Sequence, residues 1–180
     1  MSNTLWPHKS VSELIDGLTA GVSVRSSPGV EFGPAILKTS AVDRGRFVPS
    51  EAKTILAADL RRARCNPVGD SMILSRMNTP AMVGDVGYVA ESWPELFLPD
   101  RLWMARARRG SGTSMHWLTY YFASEPGARE LRGLATGTSG SMKNIPKDRI
   151  LNLDIATPPP AEQRAIASAL ADTDALIETL

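Results

Sequence analysis

Three consecutive prolines, Pro158 to Pro160, constrain this chain more than any other feature. A proline lacks a backbone N–H and holds φ near −65°, so the run stops whatever strand or loop precedes it. Its last member can open a helix at no cost. Glu162 follows in the first turn, where a carboxylate favours the positive end of the helix dipole. Beyond it, Ile166, Leu170, Thr173, Ile177 and Leu180 fall at steps of 4, 3, 4 and 3. That is a heptad seam of about three turns. The spacing predicts a helix from Pro160 to Leu180, about 30 Å long. Its seam of Ile166, Leu170, Ile177 and Leu180 is expected to pack on another helix. No Gly, Asn or Pro stops the pattern, so the chain is expected to end before the helix does.

The rest of the chain has the makeup of one globular domain with an appendage. Its 180 residues are 43% hydrophobic and 22% charged, enough to bury a proper core. No apolar run approaches the ~20 residues that span a bilayer, and the N-terminus lacks a signal-peptide pattern. A single cysteine, Cys65, excludes an internal disulfide and suits a reducing compartment, so a cytoplasmic protein is expected. Net charge is +1 but uneven: residues 61–149 carry 13 basic and 8 acidic side chains, residues 150–180 only 1 basic against 5 acidic. A basic middle beside an acidic tail is compatible with a phosphate-facing body.

Along the chain, Ser10-Val11-Ser12-Glu13 is a capping box. Val11, Leu14, Ile15 and Leu18 then predict a two-turn helix ended by Gly17 and Gly21. Thr19 to Gly33 reads as a loop, Ala35 to Lys38 as a short buried strand, and Thr39 to Gly45 as a turn. Lys53 to Arg64 reads as a helix with Ile55, Leu56 and Leu60 inward. Strands are expected at 72–76, 86–90 and 102–107, with a loop of Met77 to Asp85 between the first two. From Ser114 the period moves towards 3.6, giving one helix through Phe122 and, after Glu125-Pro126, another through Leu134. Gly137 to Asn144 reads as a flexible polar loop, followed by a short helix to Leu151 and a last strand at 153–155. The fold class expected is α+β: a twisted mixed sheet with short helices, and a terminal coiled-coil helix projecting away.

Catalytic constellations are missing. His8 and His116 have no cysteine or acidic partner at metal-ligand spacing, and no phosphate-cradling or nucleophile-elbow motif occurs. What remains is surface chemistry suited to nucleic acid. Arginine and lysine hold phosphate, arginine reads guanine through two hydrogen bonds, and Ser, Thr and Asn reach backbone or bases. The candidates sit in loops: Arg25, Lys38, Arg44, Arg46, Arg76, Asn78, Ser139, Ser141, Lys143 and Asn144.

The stretch Pro-Pro-Pro-Ala-Glu-Gln-Arg-Ala-Ile-Ala-Ser-Ala-Leu, with Asp172, Asp174, Ile177 and Leu180, resembles the helix that follows each target-recognition domain in type I restriction–modification specificity (S) subunits. Further likenesses are the Gly69-Asp70, Ile73, Leu74, Ser75-Arg76 strand with Gly84 and Gly87, and Gly137-Thr138, Ile145, Ile150-Leu151 and Ile155. The resemblance is strongest from about residue 137 onward. It implies a target-recognition domain over residues 1–157 and a spacer helix over 158–180. By that resemblance the chain is no enzyme and binds no cofactor. It binds double-stranded DNA at one half of a bipartite target and positions a methyltransferase subunit and a restriction subunit, which would bind S-adenosylmethionine, ATP and magnesium. Two-domain relatives pair their helices antiparallel, so a chain acting alone is expected to homodimerise through this helix. A natural half-length subunit, a truncated gene product and a cut fragment all remain open. The alternative reading is a helix-mediated scaffold without sequence-specific DNA binding.

Overall fold

The computed structural model describes residues 6–28, 33–137 and 140–179. The chain opens with β1 (His8–Ser10), one helical turn α1 (Val11–Leu14) and β2 (Ile15–Ala20). Then come β3 (Ala35–Leu37), β4 (Val42–Asp43), β5 (Gly45–Phe47), β6 (Ala52–Thr54), β7 (Ser71–Ser75) and β8 (Met77–Asn78). After them run β9 (Val86–Val89), β10 (Leu96–Phe97) and β11 (Leu102–Ala107). The C-terminal third holds α2 (Met115–Ala123), α3 (Glu125–Gly133), β12 (Lys143–Asn144), α4 (Lys147–Leu151), β13 (Asp154–Ala156) and α5 (Pro160–Glu178). The fold is α+β.

Its centre is a six-stranded mixed sheet in the order β2-β11-β7-β9-β5-β4, antiparallel except for the parallel pair β5–β9. All five residues of β7 are buried, because both faces of this sheet are covered. Alternation along the strands assigns the faces. Met72 and Leu74 of β7, with Trp103 and Ala105 of β11, join α1, α2, α3 and Ala167 of α5 in the larger core. Ile73, Leu102 and Met104 point the other way, onto the three-stranded sheet β10-β3-β6 and its Ala35, Leu37 and Ala52. Each large apolar side chain that leaves water here contributes on the order of 1.5–3 kcal/mol. At position 21 only glycine fits, since a Cβ there would lie 1.6 Å from the Leu98 carbonyl oxygen.

Several stretches depart from the sequence expectation. The capping box forms, with the Ser10 backbone N–H donating to Glu13 Oε2 at 2.8 Å, but its helix lasts a single turn. Ile15 is already extended, and Ile15 and Leu18 are buried from strand β2, paired with β11. Apolar positions 11, 14, 15 and 18 fit a helix face, yet sheet pairing wins once Gly17 takes φ +82°. Likewise 53–64 is no α-helix. It divides into β6 and a 3-10 turn over Ala57–Arg62, which leaves Leu56 and Leu60 exposed and buries Asp59 instead. The expected loops at 77–85 and 137–144 contribute the short pair β8–β12.

Helix α5 starts at Pro160, beside Gly112 and just past the end of β11. Gln163, only 2% exposed, clamps its first turn to the body. Its Oε1 accepts from the Ser114 backbone N–H at the start of α2, and its Nε2 donates to the Pro158 carbonyl, both at 2.9 Å. Further along, the Tyr120 hydroxyl donates to Asp174 at 2.7 Å. Both contacts advance in the same direction along the two helices, so α5 follows α2. Tyr120 also ends a ring stack: His116 lies between Tyr88 (4.1 Å) and Tyr120 (4.8 Å). Of the expected seam, Ile166 is half-buried against the larger core, while Leu170 and Ile177 are exposed, as is Leu176. Leu180 lies outside the described residues. No helix among the described residues is long and apolar enough to cross a membrane.

Candidate nucleic-acid interface

The central sheet ends at one side where β7 leaves and β11 enters, with Leu102 opposite Ser75. Arg76 and β8 continue from β7 at this edge, and β12 pairs against β8, setting Lys143 opposite Asn78 and Asn144 opposite Met77. Backbone bonds fix the arrangement: the Arg76 N–H donates to the Arg101 carbonyl, and the Ile145 N–H to the Arg76 carbonyl. Four of the ten sequence-predicted residues, Arg76, Asn78, Lys143 and Asn144, therefore come from two loops into one patch, and Ser141 lies two residues before β12.

Within the patch the Arg76 guanidinium carbon sits 5.0 Å from the centre of the Trp103 ring, a cation–π stack. No carboxylate among the described residues pairs with Arg76. Asn78 is buried and locked, its Nδ2 donating to Ser75 Oγ and its Oδ1 accepting from the Thr79 N–H. Lys143 Nζ donates to the Gly137 carbonyl at 2.6 Å. Three buried side-chain polar atoms among the described residues lack a hydrogen-bond partner, and two of them, Arg76 Nε and Asn144 Oδ1, belong here. Such atoms cost stability unless something pairs with them.

Beside the patch opens a cleft of about 300 Å³ lined by Lys38, Lys53 and Arg101 together with Ser23, Ser26 and Thr39. Lys38 is paired with Glu51 at 2.8 Å. Lys53 and Arg101 have no carboxylate partner among the described residues. Sequence reasoning missed both of them, and Trp103 as well, because each reads as an ordinary strand or turn residue.

The remaining candidates lie elsewhere or are engaged. Arg25 holds Asp59, whose side chain accepts from the Arg25 backbone N–H at 2.8 Å and from its guanidinium at 3.0 Å. Those hydrogen bonds push the Asp59 carboxyl down to about 2. Arg44 stands at the tip of the β4–β5 hairpin, where it and Gly45 take φ +46° and +94°, the geometry of a type I′ turn. It faces a second cleft, with Asp85, Glu125 and Arg132. Burial pushes the Asp85 carboxyl up against the opposing pull of Arg132 at 3.2 Å. Arg46 is exposed on β5, and Ser139 lies outside the described residues. Among the described residues no group of three His, Cys, Asp or Glu side chains is set to hold a metal ion.

No protein-family model and no curated protein matches the sequence. Solved structures do. The S subunit of a type I restriction–modification system from M. genitalium superposes with a TM-score of 0.65 at 17% identity, over 99% of this chain and 41% of that one. The HsdS subunit from Thermoanaerobacter tengcongensis gives 0.62 at 19%, over 99% and 40%. A chain from a type I system solved for its complex assembly and conformational transition gives 0.66 at 18%, again over 99% and 40%. The domain thus has the target-recognition fold of S subunits, with the C-terminal helix included. It spans about two fifths of the length of those chains.

Proposed function

We propose that this domain reads one half of a bipartite duplex-DNA target as the specificity component of a type I restriction–modification system. The likeness of fold to S subunits over 99% of the chain carries the reading. Lys53 and Arg101, which have no carboxylate partner among the described residues, beside an arginine over Trp103, supply the chemistry such a reader needs. Residues 1–157 act as the recognition domain and 158–180 as the spacer helix. The chain does no chemistry of its own. A methyltransferase subunit, bringing S-adenosylmethionine, and a restriction subunit, bringing ATP and magnesium, work where it places them. A second copy supplies the partner for the exposed apolar residues of α5, since two fifths of a relative's length leaves room in that chain for a second unit of the same size.

The test is binding-site selection on random duplex DNA, with and without a methyltransferase subunit. If about four phosphates are neutralised, Lys53, Arg101 and Lys143 being among the cations that serve, log K falls against log salt with a slope of about −3.6. Lys143→Ala should weaken all sequences alike and flatten the slope by roughly one. A flat salt response, or no duplex binding at low salt beside the methyltransferase, would leave a helix-mediated scaffold as the better account.

A further inference from the structure

Several cations of the chain are already engaged by carboxylates. Arg25 and Arg62 hold Asp59, Lys38 holds Glu51, and Arg132 holds Asp85. Arg76 differs in three ways. Its guanidinium rests on the Trp103 ring, its Nε is buried without a partner, and no carboxylate among the described residues neutralises it. Trp103 is itself 4% exposed and fixed in β11, so the platform is rigid. Stacking removes rotamer freedom before any ligand arrives, which is the cost that binding otherwise meets. Next to the arginine, through the Ile145 N–H bonded to its carbonyl, is the polar side chain of Asn144, whereas Lys53 and Arg101 line the adjacent cleft. That division suits bases on one side and phosphates on the other.

Resting on the DNA-reading function above, we infer that Arg76, its guanidinium carbon 5.0 Å from the centre of the Trp103 ring, is the residue that reads a guanine in the half-site. The choice of base follows from the fork of donors on a guanidinium. Guanine presents two acceptors, O6 and N7, to the major groove. Adenine presents an acceptor beside a donor, and thymine one acceptor beside a methyl group. Only guanine matches two parallel N–H donors.

The experiment uses the intact chain, with a methyltransferase subunit if the selection above needs it, on the duplex it selects. Arg76→Ala and Arg76→Met are compared with the wild type, the second keeping an apolar stem over Trp103 in case truncation unsettles the fold. The expected result is a loss of roughly 10- to 100-fold in preference for guanine at one position, with the other positions and the salt slope kept. Replacing that guanine by 7-deazaguanine, which lacks the N7 acceptor, should weaken wild-type binding and leave Arg76→Met unaffected. An unchanged guanine preference in both variants overturns the assignment, as does a penalty from 7-deazaguanine that is equal in wild type and variant. Uniform weakening across all sequences with a salt slope smaller by about one would make Arg76 a phosphate contact instead. A wild-type chain that selects no duplex at all overturns the DNA-reading function together with this assignment.

Discussion

His116 lies between two phenol rings, and its own titration should report on that packing. Burial pushes its imidazole below the ordinary 6.5, against the opposite pull of Asp174 and Asp70. The folded protein thus holds the ring neutral at a pH where the unfolded chain already takes up a proton. The packing contributes fully above about pH 6.5, and stability falls as the pH drops from there towards the lower folded value. Thermal melts at about pH 7.5 and about pH 5.5 should show a lower midpoint on the acid side, and His116→Gln should remove much of the difference. A wild-type midpoint that stays level across that window would contradict a desolvated imidazole. Asp59 acts in a separate window. Its carboxyl is lowered, so its contribution is present above 3.8 and is lost as the pH falls towards 2. At the same scale, sequence showed which loops carried polar and basic side chains but not which of them were occupied. Arg25 finds Asp59 across 34 positions, and no local pattern announces such a pair. Trp103 reads as one more buried strand residue until Arg76 is seen above it.

Among the elements, the strands at 71–75, 86–89 and 102–107 were legible as short apolar runs bounded by polar turns, and the helices α2, α3 and α5 because the 3.6 period ruled each of them. The stretches 11–18 and 53–64 were not. Apolar positions 11, 14, 15 and 18 match the helical period, and what overrode it was β11, some ninety residues away in the sequence, which takes β2 as its edge partner; at 53–64 it was β3, which pairs with β6. Helix α5 shows what the Glu-Gln pair after the prolines is for. Gln163 is buried and fills both of its hydrogen-bonding duties, whereas Glu162 is exposed. Gln163→Ala should therefore cost about 1–3 kcal/mol, by leaving the Ser114 N–H and the Pro158 carbonyl without partners. Glu162→Ala should stay within about 0.5 kcal/mol. Urea melts of the two variants decide it, and equal effects would mean that the clamp holds nothing.

The molecule as a whole has its candidate reading patch at the end of the sheet where β11 begins, and roots α5 past the end where β11 finishes. Leu170, Leu176 and Ile177 lie on the outgoing helix, exposed by 41%, 65% and 63%. A lone helix of this length is marginal in water, and such residues gain by meeting another helix. Under the proposed pairing, Leu170→Asp with Ile177→Asp should give monomers that still bind a half-site weakly, whereas the wild type should scatter light as a dimer and select a twofold-symmetric site. A monomeric wild type, or a selected site without symmetry, would rule out the second copy. Gln163 sets one further property of that handle. Each residue of a helix turns it by about 100°, so a helix tethered only by a proline run could leave the body at any azimuth. With Gln163 bound to the start of α2, Ala167 in the core and Asp174 bound to Tyr120, the compass bearing of Leu170 and Ile177 is tied to the body that carries Arg76. Whatever grips the helix therefore also aims the patch.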